Sequence, residues 1–300
     1  MEYKITDRTI TEYEEYLLRE EYAENTVRKY LRDIQAFLLW QSKCCADRKE
    51  EMDSNTSDRN IRGTVITRED ATAWKAYLVA EEYAPVTVNA MLSSLNGFFS
   101  FLGWDECRVK FLKIQRRVFR DQDRELSRAE YERLLETAHS SGNIRLTLLL
   151  ETICSTGIRV SEVKYITTEA VSRRRADIYL KGKIRTILLP GKLCKKLKEY
   201  ARKQNICSGE IFLTRNRNGI SRRQIWQEMK NLCEKAKVSS SKVFPHNLRH
   251  LFARTFYKIC RDIVKLADVL GHSSIETTRI YLISTGENHA RQMERLGLVS

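Results

Sequence analysis

The sequence predicts a mainly α protein of two domains: an N-terminal four-helix domain, then a mostly α domain carrying a small β-sheet. Three observations support this. The chain of 300 residues is long enough for two hydrophobic cores. Its first third contains a helix-pair pattern twice, once around Glu20 and again around Glu81. The remainder shows three- and four-residue apolar spacing, interrupted by two short alternating segments.

In the first repeat, Glu20-Glu-Tyr-Ala23 precedes Thr26, Val27, Leu31, Ile34 and Phe37; in the second, Glu81-Glu-Tyr-Ala84 precedes Thr87, Val88, Leu92, Leu95 and Phe98. Each copy reads as a short helix, a turn and a longer helix. Asn25 is expected to cap the longer helix of the first copy, and Pro85 suits the first turn of the second. Thr67-Arg-Glu-Asp70 resembles a capping box opening the short helix with Trp74 and Leu78. The polar segment 43–65 is expected to be a long exposed loop. These elements place a helical domain at 1–112, and the basic stretch Lys113–Arg120 marks an extended linker over 113–122.

The second domain, 123–300, opens with the capping box Ser127-Arg-Ala-Glu130 and a helix through Ala138. Residues 144–155 form a buried helix. Segments 176–180 and 185–189 alternate weakly around Lys181-Gly182-Lys183, which reads as a β-hairpin turn. Further helices are expected at 191–203, 221–236, 246–259, 262–270 and 274–282.

The net charge of +14 is unevenly placed. Residues 1–110 hold 15 Lys and Arg against 20 Asp and Glu, and residues 111–300 hold 38 against 19. A second half this basic points to a polyanion, because each cation set on a phosphate releases counterions; nucleic acid, a membrane surface and ribosomal contact all fit. The eight cysteines form no C-x-x-C pair, which excludes ribbon and finger zinc sites and leaves idle thiols in a reducing compartment. With no run of roughly 18 apolar residues and no basic-then-apolar leader, the expected location is the cytoplasm, away from membranes.

Three clusters carry candidate chemistry. In His246-Asn-Leu-Arg249-His250 the helical period turns His246 and Arg249 to one face, with Leu248, Leu251 and Phe252 toward the core. Leu270-Gly-His272-Ser-Ser forms a tight turn leading to Thr277-Thr-Arg-Ile-Tyr281. Thr156-Gly-Ile-Arg159-Val-Ser-Glu162 sets an arginine after a glycine turn and before a short helix, a natural phosphate seat.

Together T-G-I-R-V-S-E at 156–162, K-G at 181–182, P-H-N-L-R-H at 245–250, L-G-H-S at 270–273 and T-T-x-x-Y at 277–281 resemble the tyrosine recombinase (phage integrase) family, particularly its compact Xer-like members. The resemblance covers nearly the whole chain, with 1–112 similar to the family's SAM-like core-binding domain and the two domains expected to clamp duplex DNA. It implies a site-specific recombinase that cleaves and rejoins DNA through a 3′-phosphotyrosyl intermediate, for integration, excision or resolution. Tyr281 would be the nucleophile, and a tyrosine hydroxyl, with an ordinary pKa near ~10, needs proton removal or a strongly cationic site. The resemblance makes Arg159 and Arg249 the stabilisers of the charge growing on the phosphate oxygens. It makes His272 a further donor, His246 the base or proton relay, Lys181 the general acid, and Glu162 an orienting group. Lys183 is an alternative acid, and simple phosphate contact is the plain reading of Lys181, Lys183 and Arg185 alike.

The implied chemistry uses no cofactor and no metal, in keeping with the lack of a P-loop or a carboxylate cluster. The implied partners are double-stranded DNA with specific recombination sites and further copies of the chain in a homotetramer. The acidic N-terminal half would have to turn Arg28, Lys29, Arg32, Lys43 and Lys75 to one face. Residues 282–300 would dock on a neighbouring protomer or on their own domain. A type IB topoisomerase and a non-enzymatic DNA-binding regulator are the rival readings.

Overall fold

A computed structural model describes residues 3–50, 64–114, 124–180, 183–272, 274–281 and 294–295. The chain divides into two compact units, 1–116 and 117–300.

The first unit is built twice from one βαα pattern. Strand β1 (Tyr3–Ile5) leads to helices α1 (Asp7–Arg19) and α2 (Glu24–Glu50); β2 (Thr64–Ile66) leads to α3 (Arg68–Ala80) and α4 (Pro85–Phe101). The elements begin in the same register in both copies, Tyr3 answering to Thr64, Asp7 to Arg68 and Glu24 to Pro85. Thr6 and Thr67 each cap a helix through a reciprocal box, with Thr9 and Asp70 closing it. Glu21 and Glu82 occupy the same left-handed conformation in the two turns, both at φ 56°. Lys4 pairs with Val65 at the centre of the antiparallel ladder, and Ser94 donates to Asp33 at 2.8 Å; each pair joins corresponding positions of the two copies. Equivalent positions therefore meet each other, as around a local two-fold axis.

The aromatic core of this unit joins Tyr13, Phe37, Trp74, Phe98 and Phe99 across the four helices. Burying side chains of this size stabilises the unit by roughly 1.5–3 kcal/mol each. Asn89 and Asn96, one heptad apart on α4, use their amides to satisfy both backbone groups of Leu112 and Val109. They hold the segment leaving the unit against α4.

Several expectations change here. The two strands were not foreseen. Helix α2 runs to Glu50, into the segment expected to be a loop, because Lys43–Glu50 lacks Gly and Pro and consists mostly of acceptable helix formers. Polarity by itself does not mark irregular backbone. Residues 51–63 lie outside the described residues. Asn25 sits within the first turn of α2, and the carbonyl of Ala23 receives the first helical bonds, as that of Ala84 does in the twin. Lys29 reaches Asp33, Ser94 and the Ala90 carbonyl, Arg28 pairs with Glu24, and Lys75 donates to the Lys110 carbonyl, so these cations serve the unit itself.

The second unit packs α5 (Arg128–Ser140), α8 (Gly191–Lys203), α9 (Arg222–Leu232) and α10 (Pro245–Cys260) around the apolar helix α6 (Ile144–Thr156), whose Leu146, Leu149, Leu150 and Ile153 are fully buried. Short helix α7 (Thr168–Arg173) leads into the antiparallel pair β3 (Arg175–Leu180) and β4 (Lys183–Leu188). Helices α11 (Ile263–Leu270) and α12 (Ile275–Arg279) close the described fold. The ladder extends to Leu180↔Lys183, so Lys183 is a strand residue rather than part of the turn. Helix α9 ends at Leu232 and α12 at Arg279, both short of expectation. Among the described residues, no helix is long and apolar enough to cross a membrane.

Candidate active site

The site has three contributions, two of them turns that converge on α10. The first follows α6, which stops at Gly157 in the left-handed region at φ 66°. A Cβ there would lie 2.4 Å from the ring of Phe252 on α10, so the turn and its close approach both need glycine. The chain then buries Ile158 and presents Arg159. Glu162, buried in the following 3₁₀ turn, accepts from the backbone N–H of Arg159 at 2.7 Å and from its guanidinium at 2.9 Å. The Arg159 side chain remains 41% exposed, with its outer edge open.

The second contribution is α10 itself. Pro245 fits its first turn, where the missing N–H costs nothing. Arg249, only 2% exposed, donates to the carbonyls of Gly157 and Leu270 and therefore holds two turns together. The same guanidinium lies 2.9 Å from His272 Nε2, and the nearby Tyr281 favours its charged form. His246 is exposed, one turn before the buried His250.

The third contribution is the segment after α11. Gly271 caps that helix at φ 62°, and His272 follows with its Nδ1 2.8 Å from the Thr278 hydroxyl. Burial, reinforced by Arg249, Arg159, Arg185 and His246, lowers the His272 pKa to about 4, so the ring is neutral at pH 7. A guanidinium can only donate, so His272 Nε2 accepts from Arg249 and Nδ1–H donates to Thr278.

Tyr281 completes the arrangement, 3% exposed among Ala253, Leu266 and Leu270. Its ring lies 4.3 Å from that of His250, 5.7 Å from His272 in a stacked arrangement, and 6.1 Å from His246, measured between centroids. Arg159, His246, Arg249, His272 and Tyr281 thus come together. Lys181 lies outside the described residues, as does the tail beyond Tyr281 apart from 294–295.

Three contributors received no such role from the sequence. Arg185, expected at most to touch phosphate, faces inward and bonds Glu162 and the Val269 carbonyl. Inward alternation with the buried Ile187 was the available signal. His250 abuts Tyr281, and Thr278 orients His272; neither had a periodic signal separating it from ordinary packing. Among the described residues no group of His, Cys, Asp and Glu could hold a metal ion.

Arg159, Arg249, His272 and Tyr281, gathered on this mainly α scaffold, are side chains of the kind that bind phosphate. The chain belongs to the phage integrase family: residues 124–287 match that family, and residues 10–106 match its N-terminal SAM-like domain. Its members of this type are tyrosine recombinases, enzymes that cleave and rejoin DNA strands. The chain is 28% identical to the tyrosine recombinase XerA of Pyrococcus furiosus, over 98% of this chain and 96% of that protein. It is 24% identical to the tyrosine recombinase XerD of Vibrio cholerae, over 86% of this chain and 85% of that one. In fold it matches a lambda integrase (75-356) dimer bound to a COC′ core site, with a TM-score of 0.67 at 17% identity, over 93% of this chain and 95% of that one.

Proposed function

We propose that this recombinase acts on specific sites in double-stranded DNA as a homotetramer in the cytoplasm, with Tyr281 as its nucleophile. The observation that carries the reading is the Tyr281 ring set 4.3 Å from His250 and stacked 5.7 Å from His272, whose Nε2 meets the buried Arg249 guanidinium. A phosphodiester entering there would meet Arg249 and the open edge of Arg159, whose planar donors suit the equatorial oxygens of a five-coordinate phosphorus. His272 would turn its Nε2 from Arg249 to the phosphate. The Thr278 hydroxyl can accept or donate, and so can support either histidine tautomer. His246 is suited to receive the tyrosine proton.

Attack by the Tyr281 oxygen forms the P–O bond to tyrosine and breaks the bond to the 5′ oxygen, which leaves as a hydroxyl with a proton from Lys181. The phosphotyrosyl link conserves the ester, so the 5′ hydroxyl of another strand can reverse the step and rejoin. We assign 1–112 to a core-binding domain, 113–122 to a linker and 123–300 to catalysis. The whole serves integration, excision or resolution of DNA elements.

The test is a nicked suicide substrate. Tyr281→Phe should bind it as the unaltered protein does and form no covalent adduct. An adduct in that variant would show that another residue is the nucleophile.

A further inference from the structure

Arg185 is a buried cation with no part in the chemistry just described. Its side chain is 11% exposed, and it projects from β4. One terminal nitrogen lies 3.3 and 3.4 Å from the two Glu162 oxygens, and the other donates to the Val269 carbonyl at 3.0 Å. Among the described residues its buried Nε has no partner. The stem of this arginine fills the space beside Gly271: a Cβ on that glycine would come within 2.2 Å of Arg185 Cδ. The arrangement has a cost, since an unmet N–H is buried and Arg159 and Arg249 lie near enough to disfavour a third positive charge. Burying a guanidinium among like charges is unfavourable, and the Glu162 carboxylate offsets only part of that cost.

We propose that Arg185 is a positioning residue for the cleavage step: through Glu162 it holds Arg159, and through Val269 and Gly271 it holds the turn that presents His272. This rests on the assignment of Arg159 and His272 as phosphate-binding groups. The β4 strand thereby sets the spacing of two groups that lie on separate turns, far apart in sequence. Arg185 itself touches no phosphate; its planar fork is suited to the task because it reaches the carboxylate and the carbonyl together. A lysine has a single ammonium and can satisfy one of them.

The variants Arg185→Lys and Arg185→Gln, with the unaltered chain, test this by DNA affinity, thermal midpoint, and the rate of adduct formation on saturating nicked DNA. Both should bind DNA unchanged and form the adduct more slowly, by ~10²-fold for Arg185→Gln, the effect of about 1 Å of misplacement, and by less for Arg185→Lys. A substrate with sulfur at the 5′ bridging position leaves without a proton. It should rescue Lys181→Ala but neither Arg185 variant, because their defect lies in stabilising the charge that grows on the phosphate during attack and not in protonating the leaving oxygen. The His272 ring, followed by NMR, should titrate above its present value of about 4 in Arg185→Gln, which removes one neighbouring charge, and move less in Arg185→Lys. A purely structural role would alter the thermal midpoint without these signatures.

Rescue of the Arg185 variants by sulfur overturns the proposal, as does cleavage at the unaltered rate. Should Arg185→Gln fail to fold, Arg185→Lys keeps a cation against Glu162 and decides alone: unaltered cleavage by that folded variant refutes the role. Absence of an adduct in the unaltered chain would instead refute the assignment of Tyr281.

Discussion

Among the histidines around Tyr281, His272 has a charge state set by burial and by its arginine neighbours. Its pKa of about 4 lies below the ordinary value of 6.5, so the folded chain binds fewer protons than the unfolded chain between those values. Stability from this residue is therefore complete above pH 6.5 and is lost as pH falls toward 4. The stability difference between the unaltered chain and His272→Gln, from denaturant titration, should be constant above pH 6.5 and shrink between 6.5 and 4. A pH-independent difference would mean that the ring titrates normally. Arg249 differs from Arg159 in kind. It is buried with two backbone carbonyls depending on it, whereas Arg159 keeps an open edge. Each acceptor left unmet by Arg249→Ala should cost about 1–3 kcal/mol, a loss in thermal stability beyond the loss of cleavage.

The helices of the first unit are delimited by devices that recur at matching positions of its two copies. Thr6→Ala and Thr67→Ala each remove a capping box from a short helix, and each should lower the stability of that unit by ~1 kcal/mol. Because the boxes lie on different helices, the double variant should lose the sum, measurable as the first transition in urea. A double variant no worse than either single one would show that the two caps share one role. In the second unit the glycines after α6 and α11 work as helix stops that let the next residue, or the next but one, enter the site. Motifs T-G-I-R and L-G-H show this spacing openly, which is why the sequence suffices to nominate Arg159 and His272.

Across the whole molecule, charge and chemistry are separated. The segment 1–110 is acidic overall, and several of its cations are engaged internally, so the basic second unit should carry most of the salt-sensitive DNA affinity. Cleavage should proceed undiminished in EDTA, because in the proposed mechanism Arg159 and Arg249 would neutralise the phosphate themselves. Loss of cleavage on chelation, restored by magnesium, would point to a metal-dependent nuclease mechanism instead.

Local chemistry determined a large part of this protein. Capping at Thr67 and Ser127, the Pro245 helix start, the apolar period of α6 and the His246/Arg249 face all follow from interactions between near neighbours in the chain, and the sequence records these directly. The order and spacing of its motifs also named the candidate site before any contact was known. Tertiary structure decided what depends on distant partners. The pairing of β1 with β2 joins two segments that stand far apart in the chain, each too short to show a period. Arg185 reads as a surface cation until the hairpin turns it inward onto Glu162 and Val269. Burial and partner choice are properties of the packed chain, and the alternation of so short a strand cannot say which face will be covered.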